Sequence, residues 1–170
     1  MIDLEAAKSH IKLLRGSEDA PMHFQTFADK PEGSGVTRAF YGPLAQYQDR
    51  LIALNNKGAG IFICVCEMRE GKTRANDNAT ESHAVFIDVD GNRGSGDVSE
   101  PSFIVRRDET HFHAYWMLEE PIGPAMFTSV QKGLARTYDS DFSVSDPARV
   151  LRLAGFYHHK GDPVLIRLET

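Results

Sequence analysis

Residues 84–90 read Ala84-Val85-Phe86-Ile87-Asp88-Val89-Asp90, followed by Gly91-Asn92. β-Branched and aromatic residues fill this stretch and the Gly-Asn pair ends it, so it reads as a strand. Side chains alternate across a strand, which puts Val85, Ile87 and Val89 on one face and Ala84, Phe86, Asp88 and Asp90 on the other. Two carboxylates therefore stand side by side at the end of an otherwise apolar element. Like charges at that spacing repel unless a cation lies between them, and hard oxygen donors suit a divalent metal. The competing reading is a strand that simply runs out into an acidic, solvated loop. The pair alone does not decide between the two.

Upstream of this strand, Asp3 to Arg15 carries Leu4, Ala7, Ile11 and Leu14 at helical spacing, with Asp3 as N-cap and Gly16 as stop. Met22 to Phe27 alternates weakly, as a first strand. Ala28 to Gly42, with Pro31, Gly33 and Gly35, reads as a loop or irregular hairpin. Pro43 opens a second helix with Leu44, Tyr47, Leu51 and Leu54 as its apolar stripe and Gly58 as its stop. Ile61 to Cys66 is a continuous apolar run, hence a buried strand. Glu67 to Ser82 is polar and reads as a mobile loop, in which Lys72 and Arg74 are solvated charges or phosphate contacts.

Downstream, Gly91 to Pro101 is a second flexible loop. Ser102–Arg107 and His111–Leu118 alternate about Asp108-Glu109-Thr110, which makes an antiparallel hairpin. Pro124 to Tyr138 is a third helix with Phe127, Val130 and Leu134 inward, and Pro163 to Leu168 is a last strand. Helices and strands alternate around an antiparallel hairpin. The expected class is α+β, with a mixed, largely antiparallel sheet and helices packed on it.

At 170 residues, 41% hydrophobic and 25% charged, the chain has the size and composition of one soluble globular domain covering residues 1–170. Its longest apolar run, Ala59 to Cys66, is far too short to span a bilayer, and no charged-then-apolar leader opens the sequence. The expectation is a cytoplasmic protein with no membrane partner. Cys64 and Cys66 share one face of a strand, poorly placed for a disulfide, and read as core residues. A net charge of −5 argues against a protein that coats nucleic acid non-specifically. It leaves room for an enzyme that grips nucleic acid locally, through Arg106-Arg107 and along Arg149, Arg152 and Lys160.

Four features then occur in order: Asp88-Val89-Asp90; His113 within His-Phe-His-Ala-Tyr-Trp; Asp146; and Arg149-Val150-Leu151-Arg152-Leu153-Ala154-Gly155. In these the sequence resembles the archaeo-eukaryotic primase (primase-polymerase) superfamily, and among its branches the RepB-like proteins of plasmids and phages. The resemblance runs from about Phe24 to the C-terminus and includes Gly58-Ala59-Gly60 ahead of a strand. It implies an RRM-like catalytic core and template-directed nucleotidyl transfer: primer synthesis, DNA polymerisation or both. It also implies that Asp88, Asp90 and Asp146 hold two divalent cations, Mg²⁺ or Mn²⁺. His113 would contact the phosphates of the incoming nucleotide, and Arg149, Arg152 and Lys160 phosphate or template. The implied partners are a single-stranded DNA template, NTPs or dNTPs, and a separate helicase or helical-bundle module. Two positions depart from the family's pattern. Arg107-Asp108-Glu109-Thr110 stands where small residues and a glycine turn are usual, and Ala154 stands where proline is usual.

Each residue also has a plainer reading. Asp146, before Pro147, would cap a turn, with Asp141 as the rival third carboxylate. Arg149 or Arg152 would be an ion-pair partner of one of these acids. Trp116 reads as core, whereas Tyr115 shares the face of His113 and could stack on a base. His158-His159 reads as exposed and incidental. A rival function comes from His111-Phe112-His113, whose two imidazoles share a face as in rolling-circle nucleases and relaxases; Tyr138 would then be the nucleophile. That reading leaves three acids without a task. A third possibility is a nucleic-acid-binding module without catalysis.

Overall fold

In a computed structural model, which describes residues 1–30, 35–91 and 98–170, the decisive strand extends from Ser82 to Asp90. The elements run in the order α1 (Leu4–Arg15), β1 (Met22–Ala28), β2 (Arg38–Gly42), α2 (Leu44–Asn56), β3 (Ala59–Cys64), β4 (Ser82–Asp90), β5 (Phe103–Asp108), β6 (His111–Ile122), α3 (Pro124–Thr137), β7 (Val150–Arg152), β8 (Tyr157–His158), β9 (Val164–Leu165) and β10 (Arg167–Glu169). The expected α+β class is what the chain adopts. Its strands are divided between separate sheets rather than gathered into one. They belong to two compact units, Met1–Cys64 with Val150–Leu168 and Val65–Arg149 with Glu169–Thr170. Parts of the loops expected at 28–42 and 91–101, namely residues 31–34 and 92–97, lie outside the described residues.

In the first unit the strands lie in the order β2-β1-β3-β7, with antiparallel pairing throughout, and β8 pairs with β9 beside them. The N-terminus of α1 is capped as its sequence predicts: the Asp3 carboxylate accepts from the Ala6 amide at 3.0 Å. Gly16, at φ 76°, closes the other end by donating to the Lys12 carbonyl at 2.8 Å. Ala7, Ile11 and Leu14 are buried as expected, and so is His10. On α2 the stripe rests on Leu44 and Leu51, and a buried polar residue, Asn55, joins it. Its amide nitrogen donates to the Ala59 and Tyr157 carbonyls at 2.8 Å each, and its oxygen accepts from the Tyr157 amide at 3.0 Å. Apolar spacing cannot reveal such a residue, because what buries it is backbone from distant sequence that needs a partner.

Gly155 lies where the arginine-rich motif crosses the start of α1. The Asp3 amide donates to its carbonyl at 2.8 Å, its φ is +86°, and a Cβ there would run into the Asp3 carbonyl. A left-handed φ and a backbone contact from outside the turn both require glycine at this position.

The second unit holds β4, β6 and β5 side by side, β6 in the middle and antiparallel to both neighbours. The hairpin expected about 108–110 is the β5–β6 turn. One face buries Phe86, Phe103 and Tyr115, with Phe103 and Tyr115 stacked at 4.5 Å and the Phe127 ring 6.0 Å from Phe86. The opposite face buries Ile87, Val89 and Ala114, covered by Phe112, Trp116, Leu134 and Tyr138. On α3, Phe127 is buried as expected, while Val130 and Leu134 are only partly covered; Gln131 and Ala135 complete the buried stripe. Gln131 accepts from the Phe86 amide at 2.9 Å and donates to the Phe86 carbonyl at 3.0 Å. The outer backbone of β4 is thereby satisfied at Phe86 from α3, midway along an otherwise open strand edge.

The loop expected to be mobile between Glu67 and Ser82 is pinned at several points. Met68 bridges Ala79, the Arg74 guanidinium donates to the Ala148 carbonyl at 2.6 Å, and the Asn76 side chain accepts from the Ala148 amide at 2.9 Å. Among the described residues no helix is long and apolar enough to cross a membrane. Cys64 and Cys66 are both buried, in line with a core role.

Candidate active site

The register of β4 against β6 builds the site. Asp88 stands opposite His113 and Asp90 opposite His111, so two carboxylates and two imidazoles share one face at the end of the hairpin. His113 Nε2 lies 3.4 Å from an Asp88 carboxylate oxygen. Its Nδ1 is buried and has no hydrogen-bond partner. His111 Nε2 lies 3.0 Å from Asp90 Oδ1. Asp88 is largely covered, whereas the Asp90 side chain is 76% exposed. Covering brings Asp88 close to Tyr115 as well: burial and then the Asp88 charge push the Tyr115 hydroxyl well above its ordinary value.

Tyr115 departs from its expectation, while Trp116 packs against a core cluster as expected. Tyr115 is completely buried among Phe86 and Phe103 and is not available to a base. Trp116, on the opposite face, is only partly covered. It stacks on Tyr138 at 5.5 Å and donates its indole N–H to the Ser99 carbonyl at 3.0 Å. The face that ends in Asp88 and His113 is apolar beneath them, with Phe86, Phe103, Tyr115 and Phe127 all fully buried. Tyr138 packs with Trp116 against the Ile87, Val89 and Ala114 cluster. That is the face of the hairpin opposite to the two imidazoles.

Asp146 takes an arginine partner in the second unit. Arg149 reaches its Oδ1 from Nη2 at 2.7 Å and from Nε at 2.9 Å, and also donates to the Ser143 carbonyl at 2.7 Å. Asp146 lines a cleft of about 450 Å³ with Asn76, Thr128, Lys132, Ser143 and Ser145. Asp141, the rival third acid, is joined to β4 through its backbone: its amide donates to the Asp88 carbonyl at 3.2 Å. Its carboxylate caps the next turn, accepting from the Ser143 amide at 2.8 Å and hydroxyl at 2.9 Å.

Asp88, Asp90 and Asp146 are not gathered into a set whose ligand atoms all lie within 4.8 Å; among the described residues Glu67, Glu81 and His83 are. His83 Nε2 lies 3.5 Å from Glu67 and 3.2 Å from Glu81. The two glutamates face each other because the Glu67 amide donates to the Glu81 carbonyl at 2.8 Å. All three side chains are at least one-third exposed, and exposed acidic groups commonly stand this way without an ion.

Arg152 and Lys160 belong to the first unit. Lys160 is exposed. Arg152 reaches Asp29 from both terminal nitrogens, at 2.7 and 3.3 Å, and its guanidinium lies 4.6 Å from the Phe62 ring centroid. Asp29 also accepts from the His159 amide at 2.9 Å. The Asp29 side chain is 2% exposed and that of Arg152 15%. Gly60 makes room for this pair, since a Cβ there would sit 2.5 Å from Arg152 and 2.8 Å from Asp29. Burial raises the Asp29 carboxyl, but the hydrogen bond and charge of Arg152 outweigh it and hold the group below its ordinary value. The pair therefore contributes stability above the unfolded-state pKa of about 3.9, and that contribution is lost as pH falls through the lower folded value. Asp29→Asn should accordingly lower the urea midpoint at pH 7 and flatten its decline from about pH 4 downward. His158, expected to be exposed, is buried.

Several of these residues give no signal in sequence. Asp29 falls at a strand end followed by a loop, and Gln131 interrupts an apolar stripe. Asp108 looks like an ordinary turn residue, yet it holds His111 Nδ1 at 2.8 Å and Arg107 Nε at 2.7 Å. Burial, the largest single influence, raises its carboxyl, but hydrogen bonds from His111, Arg107 and Thr110 together outweigh it and hold the group well below the ordinary range.

No family model and no curated protein matches the sequence. Solved structures do. The chain is similar to the primase-polymerase domain of cyanophage S-2L at 24% identity and TM-score 0.76, over 99% of this chain and 90% of that one. It is similar to primase RepB′ at 18% identity and TM-score 0.76, over 98% of this chain and 56% of that one. The RepB′ catalytic domain in complex with initiator DNA gives 20% identity and TM-score 0.71 over 96% and 83% of the two chains. At these identities the likeness is one of fold: the chain has the fold of the RepB-like primase-polymerase domain.

Proposed function

We propose that the two units act together, residues 1–170, as one catalytic domain for template-directed nucleotidyl transfer in plasmid or phage replication. The observation that carries this reading is the register that sets Asp88 against His113 and Asp90 against His111 on a fold shared with primase-polymerases. Further support is that the RepB′ catalytic domain and the polymerase domain of Mycobacterium tuberculosis Ligase D are both seen in complex with DNA.

The donor set fits divalent cations. Asp88 and Asp90 offer hard oxygens on one face with no lysine or arginine paired to Asp90 among the described contacts. Asp88, Asp90 and Asp146 would hold two such ions, Mg²⁺ or Mn²⁺. When bound, these would activate a 3′-hydroxyl and neutralise the triphosphate during in-line displacement. His113, fixed on the central strand, would meet the nucleotide's phosphates. Arg149 would guide phosphate when it leaves Asp146, so the ion pair keeps the acid neutralised until substrate arrives. Exposed Lys160 is a candidate for long-range attraction of the single-stranded template, and Arg152, bound by Asp29, for a fixed phosphate contact. A separate helicase or helical-bundle module would supply strand opening.

A primed single strand of defined sequence, given one labelled nucleotide at a time, tests the reading. Extension only with the complementary nucleotide is expected; incorporation without regard to template would contradict it. The nuclease alternative needs Tyr138 beside the imidazoles. Tyr138→Phe should therefore leave incorporation within about twofold and should not remove any DNA adduct, both read on one denaturing gel.

A further inference from the structure

We infer that His111 is a nitrogen ligand of the cation held by Asp90, with Asp108 fixing it from behind; the inference rests on the metal reading proposed above. Asp108 ends β5. Its Oδ1 accepts from the Thr110 amide at 2.9 Å, from the Thr110 hydroxyl at 3.0 Å and lies 2.8 Å from His111 Nδ1. Its Oδ2 accepts from Arg107 at 2.7 Å. A carboxylate oxygen so engaged can only accept, so Nδ1 of His111 carries the hydrogen. Its Nε2 faces Asp90 Oδ1 at 3.0 Å, a separation at which either a ring proton or a metal ion joins the two atoms.

A cation does so with ordinary dimensions. Two neighbouring ligands each about 2.1 Å from one ion and at a right angle to each other are about 3.0 Å apart. The rest of the arrangement is the usual one for a metal-bound histidine, whose other ring N–H is held by a carboxylate. Asp108 is held in turn by the turn backbone and by Arg107. The segment Arg107-Asp108-Glu109-Thr110, which departs from the family's pattern, thus acquires a task. It brings a buttress to His111 where a small-residue turn could offer none.

Mn²⁺ added alone to the full chain is the probe. Pulsed EPR of bound Mn²⁺ should show ¹⁴N modulation from imidazole. The modulation should be lost in His111→Gln and kept in His113→Gln, with folding checked by far-UV circular dichroism. Mn²⁺ affinity should fall about 10- to 100-fold in His111→Gln and about 10-fold in Asp108→Asn, which keeps the ring in place but weakens its support. Modulation that persists in His111→Gln, or an affinity unchanged in both variants, would overturn the inference while leaving the carboxylate site standing. Mn²⁺ binding that is also indifferent to Asp88→Ala would overturn the metal reading itself.

Discussion

Asp88→Ala should reduce nucleotide incorporation on the order of 10³-fold or more, about 4 kcal/mol of barrier, without unfolding the chain. Asp88 is the covered member of the pair, set opposite His113 on the central strand of its sheet. Removing it takes away a hard ligand and leaves Asp90, 76% exposed, as the remaining carboxylate on that face. The surrounding apolar residues, Phe86, Ile87 and Val89, remain buried and keep the strand in place. Two measurements on one preparation decide the matter. Thermal unfolding should stay within a few degrees of the parent, and single-turnover extension of a primed strand should fall to background. Full synthesis by the variant would remove Asp88 from the metal site.

Gly155→Ala should act on stability instead, costing about 3 kcal/mol or more and lowering Tm by roughly 6–12 °C. A methyl group there meets the Asp3 carbonyl, which cannot move aside without breaking the hydrogen bond that the Asp3 amide donates to the Gly155 carbonyl and loosening the N-cap of α1. The positive φ adds backbone strain for any residue with a Cβ. Calorimetry of the full chain reads the effect directly. An unchanged Tm would mean that the start of α1 does not depend on this crossing.

The elements themselves were readable because their signals are local. Asp3 and Gly16 bracket α1, the apolar run locates β3, and alternation sets both strands of the β5–β6 hairpin. Alternation put Asp88 and Asp90 on one face of their strand and His111 and His113 on one face of theirs, but the register that sets Asp88 opposite His113 was not legible. Position along a strand does not say which face is buried more deeply, and so Tyr115 proved to be core rather than open to a base. Single-sheet architecture was the natural expectation from alternating elements, since division into separate sheets depends on contacts between distant segments. The polar residues that close backbone edges, Asn55 and Gln131, and the charged pair Asp29–Arg152 depend on the same distant partners. Their spacing in sequence carries no trace of them. Asp146 shows the opposite case: the plainer alternative, an ion pair with Arg149, is the contact present.

The most direct test of the central claim is anomalous diffraction at the manganese edge from crystals of the chain soaked in Mn²⁺. Anomalous density is expected against the carboxylates of Asp88 and Asp90. Density confined to Glu67, Glu81 and His83, with none beside Asp88 and Asp90, would contradict it.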